Sequence, residues 1–392
     1  MTLRSIRGAP PVAEPHEPRK AHAPFPKAAA TLMTVHATPA PATRQRTSSP
    51  APNPVRERRS IGDFARRSET GALIGTVGVF IFFAIFGGTQ FLSVGGTASW
   101  LNVAAELGII AIPVSLLMIA GELDLSVGSV LAASSMTLAI VSGYWGGPLI
   151  LGILCALAVG VGTGLINGLV VSRTKVPSFV VTLASNFGLV GLTLGLSRVI
   201  TGTTSVNIAP DALTKNLFGQ LIAGQFEVAI VWFIVVAAIV AWILQMTKYG
   251  NWIFAIGGDS ESARATGIPV ARTKIGLFMA SGFGAAFVGV IQTILYNGAQ
   301  VSNGQSFVFN SIIAVVIGGV LLTGGYGSVV GVILGTLTFA IVNQGIYYTG
   351  WNSDWASLIL GILLLAAVLM NNTFRKLALS SGAKAISKLK KG

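Results

Sequence analysis

From Gly71 onward the chain alternates between long apolar segments and short polar connections. The hydrocarbon core of a bilayer is about 30 Å thick, so an α-helix needs about 20 apolar residues to cross it. Several segments are shorter than that, and tilt or incomplete crossing must make up the difference. The pattern predicts an all-α polytopic membrane protein with about ten transmembrane helices, at approximately 72–92, 101–120, 126–142, 148–171, 178–200, 227–246, 273–297, 307–322, 329–348 and 357–371.

Two polar tails flank this transmembrane domain, which we predict to occupy residues 71–372. Residues 1–70 are rich in Pro, Ala, Arg and Ser and lack the apolar surface that would offset the entropy of ordering the chain, so they are predicted to be disordered. Residues 373–392 form a basic tail. For residues 1–55 an overlong start assignment, with translation beginning at a later methionine, is an open alternative.

Positive charge is unevenly distributed along the chain. The sequence has 26 Lys and Arg against 13 Asp and Glu, a net charge of +13. The positive residues concentrate in both tails and in the connections 172–177 and 247–272, which alternate with poorer connections such as 201–226. This is the positive-inside pattern. It predicts that both termini are cytoplasmic and that 201–226 lies outside, and it argues against nucleic acid as a partner.

Several kinds of chemistry are missing from the sequence. The single cysteine, Cys155, excludes an intrachain disulfide, and all three histidines precede the first apolar segment. The phosphate-binding loop G-x-x-x-x-G-K-[ST] is absent, so any ATP that drives this protein must bind to another chain. With no nucleophile–base or metal cluster visible, we expect no enzymatic activity and no cofactor bound by this chain.

An acidic motif interrupts the apolar sequence between the second and third segments, at Gly121, Glu122, Asp124, Ser126 and Gly128. A carboxylate at the centre of a bilayer costs about 2.5–3.5 kcal/mol, so these groups must cap a helix, lie at an interface or face an internal cavity. Two interpretations remain open. Asp124 or Ser126 caps the helix that begins near residue 127, or the carboxylates line a gate and contact the solute.

Four more polar residues lie inside apolar segments: Glu106, Asn167, Asn186 and Asn343. They either line a solute pathway or tie helices together. A different class of protein would also use such residues: an autonomous proton-coupled carrier could relay protons through Glu106, Glu122 and Asp124.

The connection 247–272 contains the signals of a short helix with its own ends. Asp259 or Ser260 is a good N-cap, Glu261 falls in the first turn and Arg264 near the last. Gly267 then ends the helix. Such a helix suits the transmission of force from a soluble partner, although an ordinary amphipathic connector would have the same signals.

The sequence contains two kinds of repetition. Gly160, Gly164 and Gly168 are spaced four apart, which lets transmembrane helices approach closely. The stretch 119–130 is similar to 317–329, and Leu-Ile-Leu-Gly-Ile-Leu occurs at both 149 and 358. Duplicated halves would explain these similarities, and so would chance in so apolar a chain.

Three motifs carry a resemblance to a known family. The stretches 121–129, 250–267 and 314–328 resemble the ordered motifs of ribose-type sugar ABC transporter permeases, over roughly residues 60–375. The resemblance implies a permease subunit of the bacterial inner membrane that works as a pair. It also implies two cytoplasmic ATPase subunits that bind ATP and Mg, and a periplasmic sugar-binding protein that delivers a monosaccharide or polyol.

The sequence departs from that family's pattern at two positions. Glu122 stands where a second glycine is usual, and Asn310 replaces a common acidic residue. Both departures leave the identity of the sugar open. The choice between a homodimer and a heterodimer of permeases is open as well.

Overall fold

The computed structural model describes residues 68–367 and 369. The predicted tail 373–392 and all but three residues of the predicted tail 1–70 lie outside the described residues. The helices are α1 Ser68–Phe86, α2 Gly88–Phe91, α3 Val94–Ile119, α4 Val127–Leu138, α5 Leu149–Arg173, α6 Ser178–Thr201, α7 Ala212–Thr214, α8 Ala229–Met246, α9 Lys248–Gly258, α10 Ser260–Ala265, α11 Val270–Leu295, α12 Phe307–Ile317, α13 Val329–Gly345 and α14 Trp355–Ala367.

Each of the ten predicted segments overlaps at least one of these helices. Among the described residues, eight helices are long and apolar enough to cross a membrane, counting α4 together with the π-helical turn Ala139–Tyr144 that continues it. Two others, α12 and α14, are apolar but shorter. The all-α polytopic prediction is therefore confirmed, while the number of complete crossings stays a prediction.

The centre of the bundle is formed by α3 and α11. Almost every residue of α3 from Ala104 to Ile119 is buried, including Pro113. Helix α11 packs against α3, α4 and α5. A side-chain carbon placed on Gly160 would collide with the carbonyl oxygen of Gly282, and one on Gly164 with that of Phe278. The glycine spacing in α5 thus serves the close helix packing that was predicted.

Among the described residues, four short strands, which were not predicted, lie in the connections. β1 (Ser205–Asn207) pairs antiparallel with β4 (Gly298–Gln300), and β2 (Leu221–Ile222) pairs with β3 (Phe226–Glu227). In the first pair Val206 lies opposite Ala299. Both connections that contribute to it are predicted to lie outside, so the pairing agrees with the predicted topology. Backbone groups outside helices need partners, which explains the strands in an otherwise helical protein.

The repeated stretches of sequence form the same turn. At the end of α3, Ala120, Gly121 and Glu122 donate backbone hydrogen bonds to Leu116, Met118 and Leu117. At the end of α12, the N–H groups of 318, 319 and 320 bond the carbonyls of 314, 316 and 315 in the same pattern. Gly121 and Gly319 have φ of 82° and 88°, a left-handed conformation that favours glycine. The similarity therefore corresponds to equivalent structure at these two helix ends.

Candidate functional site

The predicted short helix in the connection 247–272 is present as α10. The side chain of Asp259 accepts hydrogen bonds from the backbone N–H groups of Glu261 and Ser262, both at 2.9 Å. It is the N-cap, so Ser260 is the first helical residue. Arg264 and Glu261 form an exposed ion pair at 3.7 Å, and Gly267 ends the segment with φ of 86°. The helix signals were therefore confirmed, while the role of the helix is a separate question.

A second helix, α9, precedes α10 and was not predicted. Its last turn lies directly against the bundle at Gly257. A side-chain carbon on Gly257 would collide with the carbonyl oxygen of Ile119, and its next neighbour would be the backbone of Gly325. Ile119 ends α3, and Gly325 lies in the connection between α12 and α13. At Gly257 the α9–α10 segment thus contacts both repeated stretches, 119–130 and 317–329, through backbone atoms.

The acidic motif runs from the end of α3 along α6 to the start of α4. The N–H of Leu123 donates to the hydroxyl of Ser178, and the N–H of Leu125 donates to the hydroxyl of Thr182, each at 3.1 Å. Ser178 and Thr182 are one helical turn apart on the same face of α6. Their hydroxyls supply the hydrogen bonds that an irregular buried backbone otherwise lacks.

Asp124 is almost completely buried, and its carboxylate accepts three hydrogen bonds from described residues. The backbone N–H of Ser126 donates to it at 2.9 Å and the Ser126 hydroxyl at 2.6 Å. The hydroxyl of Ser281 in α11 donates to the other carboxylate oxygen at 2.7 Å. The N-cap residue of α4 is Ser126, whose side chain accepts no hydrogen bond from the first turn. The capping interpretation therefore needs correction: Asp124 bonds a backbone N–H before the helix and joins the motif to α11.

The hydrogen-bond network continues from Ser126 to Asn167. The Asn167 amide donates to the Ser126 hydroxyl at 3.0 Å and accepts from the Ser185 hydroxyl in α6. Asn167 is fully buried in α5. It ties three elements together, as one of the two predictions for it proposed. Gly128 serves close packing, because a side-chain carbon there would collide with the carbonyl oxygen of Gly304 ahead of α12.

Glu122 forms an ion pair with Lys274, in the second turn of α11. Both side chains are mostly buried, with 11% and 17% of their surface exposed. Glu122, which stands where ribose-type permeases usually have a glycine, therefore has a specific partner 152 positions away. This ion pair is a second link between the motif and α11.

The other predicted pathway residues lie apart from the motif. Glu106 accepts a hydrogen bond from Gln292 at 2.9 Å and is about 20 Å along the helix axis from the end of α3 at Ile119. Asn343 accepts from its neighbour Gln344 at 3.0 Å. The Asn186 side-chain oxygen is buried and finds no donor among the described residues. Glu106, Glu122 and Asp124 are not brought together as a proton relay would require.

Sequence reasoning missed the partners that fix the motif: Ser178, Thr182, Lys274 and Ser281. One signal was available, because Ser178, Thr182 and Ser185 recur at helical spacing and place three hydroxyls on one face of α6. Lys274 and Ser281 had no such signal. They lie on a helix far away in sequence, and only packing brings them to the motif.

Comparisons with known proteins agree with this architecture. The model of a family described as "Branched-chain amino acid transport system / permease component" matches residues 96–368. The chain is 30% identical to the fructose import permease protein of Rhizobium meliloti over 309 residues, which cover 76% of this chain and 83% of that protein.

Two further relatives have similar coverage. The ribose import permease protein of Escherichia coli is 30% identical over 289 residues, 72% of this chain and 87% of that protein. The xylose transport system permease protein of Haemophilus influenzae is 28% identical over 359 residues, 78% of this chain and 96% of that protein. No solved structure matches this chain.

Proposed function

This chain belongs to the family of transport-system permease components, and we propose that it is the membrane subunit of an ATP-driven sugar importer. The resemblance to ribose-type permeases is confirmed by its relatives, which are named as import permeases for fructose, ribose and xylose. The protein is a multi-pass protein of the bacterial inner membrane. Its transported solute is a monosaccharide or a related polyol.

One observation carries the mechanism: the α9–α10 segment rests on both repeated stretches, 119–130 and 317–329, through Gly257. The backbone of Gly257 lies against Ile119 and Gly325 with no side chain between them, so a displacement of α9 has no compressible layer to absorb it. Ile119 ends the central helix α3. Force applied to α10 from the cytoplasm would therefore move the core of the bundle.

The partners that we propose come from the family to which the chain belongs. Two cytoplasmic ATPase subunits would bind ATP and Mg and contact α10, one on each copy of a permease pair. A periplasmic sugar-binding protein would deliver the solute from the other side. ATP-bound and ATP-free partners must each favour one conformation of the permease, because a partner that binds both equally shifts no equilibrium.

The experiment is ATP-dependent sugar uptake in proteoliposomes that contain this chain with its partner ATPase, in the presence of a sugar-binding protein. Ribose, xylose, fructose and myo-inositol serve as labelled solutes. We expect uptake of at least one of them only when ATP and the binding protein are both present. Uptake without the ATPase, driven by a pH gradient, would contradict the proposal in favour of a carrier.

Two variants test the coupling role of α10. Arg264→Glu reverses an exposed charge, and Gly267→Val places a branched residue at a left-handed backbone position, which is strained. Both should abolish copurification with the ATPase or the stimulation of ATP hydrolysis by sugar-loaded binding protein. Asp211→Asn, on the exposed outer connection, is the control and should retain both. Unchanged stimulation in both α10 variants would refute the coupling role.

A further inference from the structure

A cluster of polar side chains lies between α3, α11 and the residues before α8. It consists of Asn102 and Glu106 on α3, Glu227 at the end of β3, and Gln292 and Tyr296 on and just after α11. We call it the outer polar cluster, because the ends of the elements that form it are predicted to face outward. It is separate from the acidic motif at residues 121–128 and from the cytoplasmic segment α9–α10.

Asn102 positions Glu227 beside Glu106. Its amide group donates to the carbonyl oxygen of Gln225 at 3.0 Å, and its side-chain oxygen accepts from the N–H of Glu227 at 3.0 Å. Glu106 follows Asn102 by one helical turn and therefore lies on the same face of α3. The end of strand β3 is thus fixed against α3 at the level of the Glu106 carboxyl group.

Helix α11 supplies the opposite side of the cluster. The Gln292 amide donates to one oxygen of Glu106 at 2.9 Å, and Tyr296 follows Gln292 by one turn. Burial raises the pKa of the Tyr296 phenol above its usual value, and the nearby charges of Glu106 and Glu227 raise it further. Both carboxyl groups therefore act on one phenol, which places the side chains in a common neighbourhood.

Each carboxyl group has one oxygen without a partner. Oε1 of Glu106 and Oε2 of Glu227 are buried, and neither finds a hydrogen-bond donor among the residues that the structure describes. Only 8% of the surface of Glu106 is exposed. Buried acceptors are nearly always satisfied in folded proteins, because an unmade hydrogen bond costs about 1–3 kcal/mol. Two such oxygens in one cluster leave acceptors available to a ligand with several donors.

We infer that the outer polar cluster binds hydroxyl groups of the transported solute, with Glu106 and Glu227 as the contacting residues. Neighbouring hydroxyls of a sugar or polyol supply the donors that both oxygens lack, while Gln292 and Tyr296 offer further polar atoms around the ring. Burial raises the pKa of Glu227 to about 7, so at neutral pH this carboxyl group can also donate to a hydroxyl. A neutral polyol therefore fits the pair better than an anion would.

This inference rests on the proposed function, since it assigns the solute a contact on the side where a binding protein would release it. The test measures binding of ribose, xylose, fructose and myo-inositol to the full-length chain in lipid nanodiscs by saturation-transfer NMR. Uptake by the complete transporter is measured in parallel. The variant is Glu106→Gln with Glu227→Gln, which keeps side-chain size but replaces one acceptor on each residue with a donor.

We expect saturation transfer from the wild-type protein to at least one sugar, and an apparent Kd about tenfold higher or more in the double variant, because each Gln presents an amide donor where the carboxyl group presented an acceptor. Asp211→Asn removes a negative charge from the exposed outer connection and is the matched control; its Kd should not change. If the double variant does not fold, the partly buried Glu227→Gln alone carries the test, with the same direction of change.

Several results would overturn the inference. One is equal sugar contact in wild type and the double variant. Another is no sugar contact in a wild-type protein that supports uptake. Both would leave the proposed function standing. A third is that Na⁺ or Ca²⁺ stabilises the wild-type protein thermally but not the double variant, while neither protein contacts sugar. This result would assign the cluster to a cation instead. Sugar contact that the double variant loses, in a chain that supports no uptake, would support the cluster and refute the proposed function.

Discussion

The backbone N–H of Gly325 donates a hydrogen bond to the carbonyl oxygen of Ile119 at 2.8 Å. This bond joins the connection between α12 and α13 to the end of α3, so the two repeated stretches, 119–130 and 317–329, are in direct contact. Gly257 covers the same carbonyl from the α9–α10 segment. Three parts of the chain that are distant in sequence thus meet at one backbone oxygen, where motion of α9 and α10 would reach both repeated stretches together.

Substitution at Gly257 should disturb this junction. The added methyl group of Gly257→Ala collides with the backbone at Ile119, and overpacking of this kind costs about 1–3 kcal/mol. We expect a lower melting temperature in nanodiscs and loss of sugar-stimulated ATP hydrolysis by the complex. Gly258→Ala is the matched control, because a side-chain carbon there has no neighbour within 4 Å. Equal behaviour of the two variants would show that the junction does not transmit force.

Asp124→Ala should destabilise the protein, because it removes an acceptor from three buried donors. Hydrogen bonds to a charged group contribute about 1.5–3 kcal/mol each, so the melting temperature should fall clearly. Asp124→Asn keeps an acceptor for Ser126 and should lower the melting temperature less. Ser281→Ala removes one of the three bonds, so its melting temperature should lie between those of wild type and Asp124→Ala. Wild-type stability with transport abolished in Asp124→Asn would instead assign the carboxylate to the gate.

The Glu122–Lys274 pair should show coupling in a double-mutant cycle. Glu122→Gln alone leaves the ammonium group of Lys274 without its carboxylate in a mostly buried place, and Lys274→Met alone leaves the carboxylate unpaired. Each single variant should lose about 1.5–3 kcal/mol of stability. The double variant should lose less than the sum of both. Additive losses, measured by denaturant unfolding, would show that the two charges contribute independently.

Stability should depend on pH through Glu227. Burial raises its pKa from 4.5 to about 7 in the folded protein. Between these values Glu227 ionises in the unfolded chain and keeps its proton in the folded chain, so its contribution to stability falls as pH rises from about 4.5 to 7 and then levels off. Melting temperatures across pH 4–8 should show this decline in wild type and in Asp211→Asn, and a weaker one in Glu227→Gln. The same decline in Glu227→Gln would assign the dependence to another group.

Topology can be measured with introduced cysteines. In a Cys155→Ser background, a cysteine at Lys215 should react with a membrane-impermeant reagent from outside the cell, and one at Ser262 only after the membrane is opened. Both positions are exposed. The charge distribution predicts this alternation, and labelling of both from one side would contradict it.

The sequence alone determined the features that depend on neighbouring residues. Apolar length specifies helices that can cross a membrane, since the bilayer fixes how many residues a crossing needs. Asp259 and Gly267 specify the two ends of the α10 segment. The Asp259 side chain accepts hydrogen bonds from the free N–H groups of the first turn, and the left-handed backbone of Gly267 ends the helix. The glycine spacing in α5 specifies a face without side chains. The short strands and α9 were missed, because such brief elements owe their form to what they pack against.

Only the tertiary structure decided which polar groups meet. Glu122 pairs with Lys274 at a separation of 152 residues, Asp124 with Ser281 at 157, and Glu106 with Gln292 at 186. Sequence showed the carboxylates and the need to satisfy them in an apolar environment, but several polar residues on other helices were equally suitable partners by type. The choice among them follows from helix packing, because the close approach of α11 to α3, α4 and α5 places some side chains within hydrogen-bond distance and leaves the rest apart.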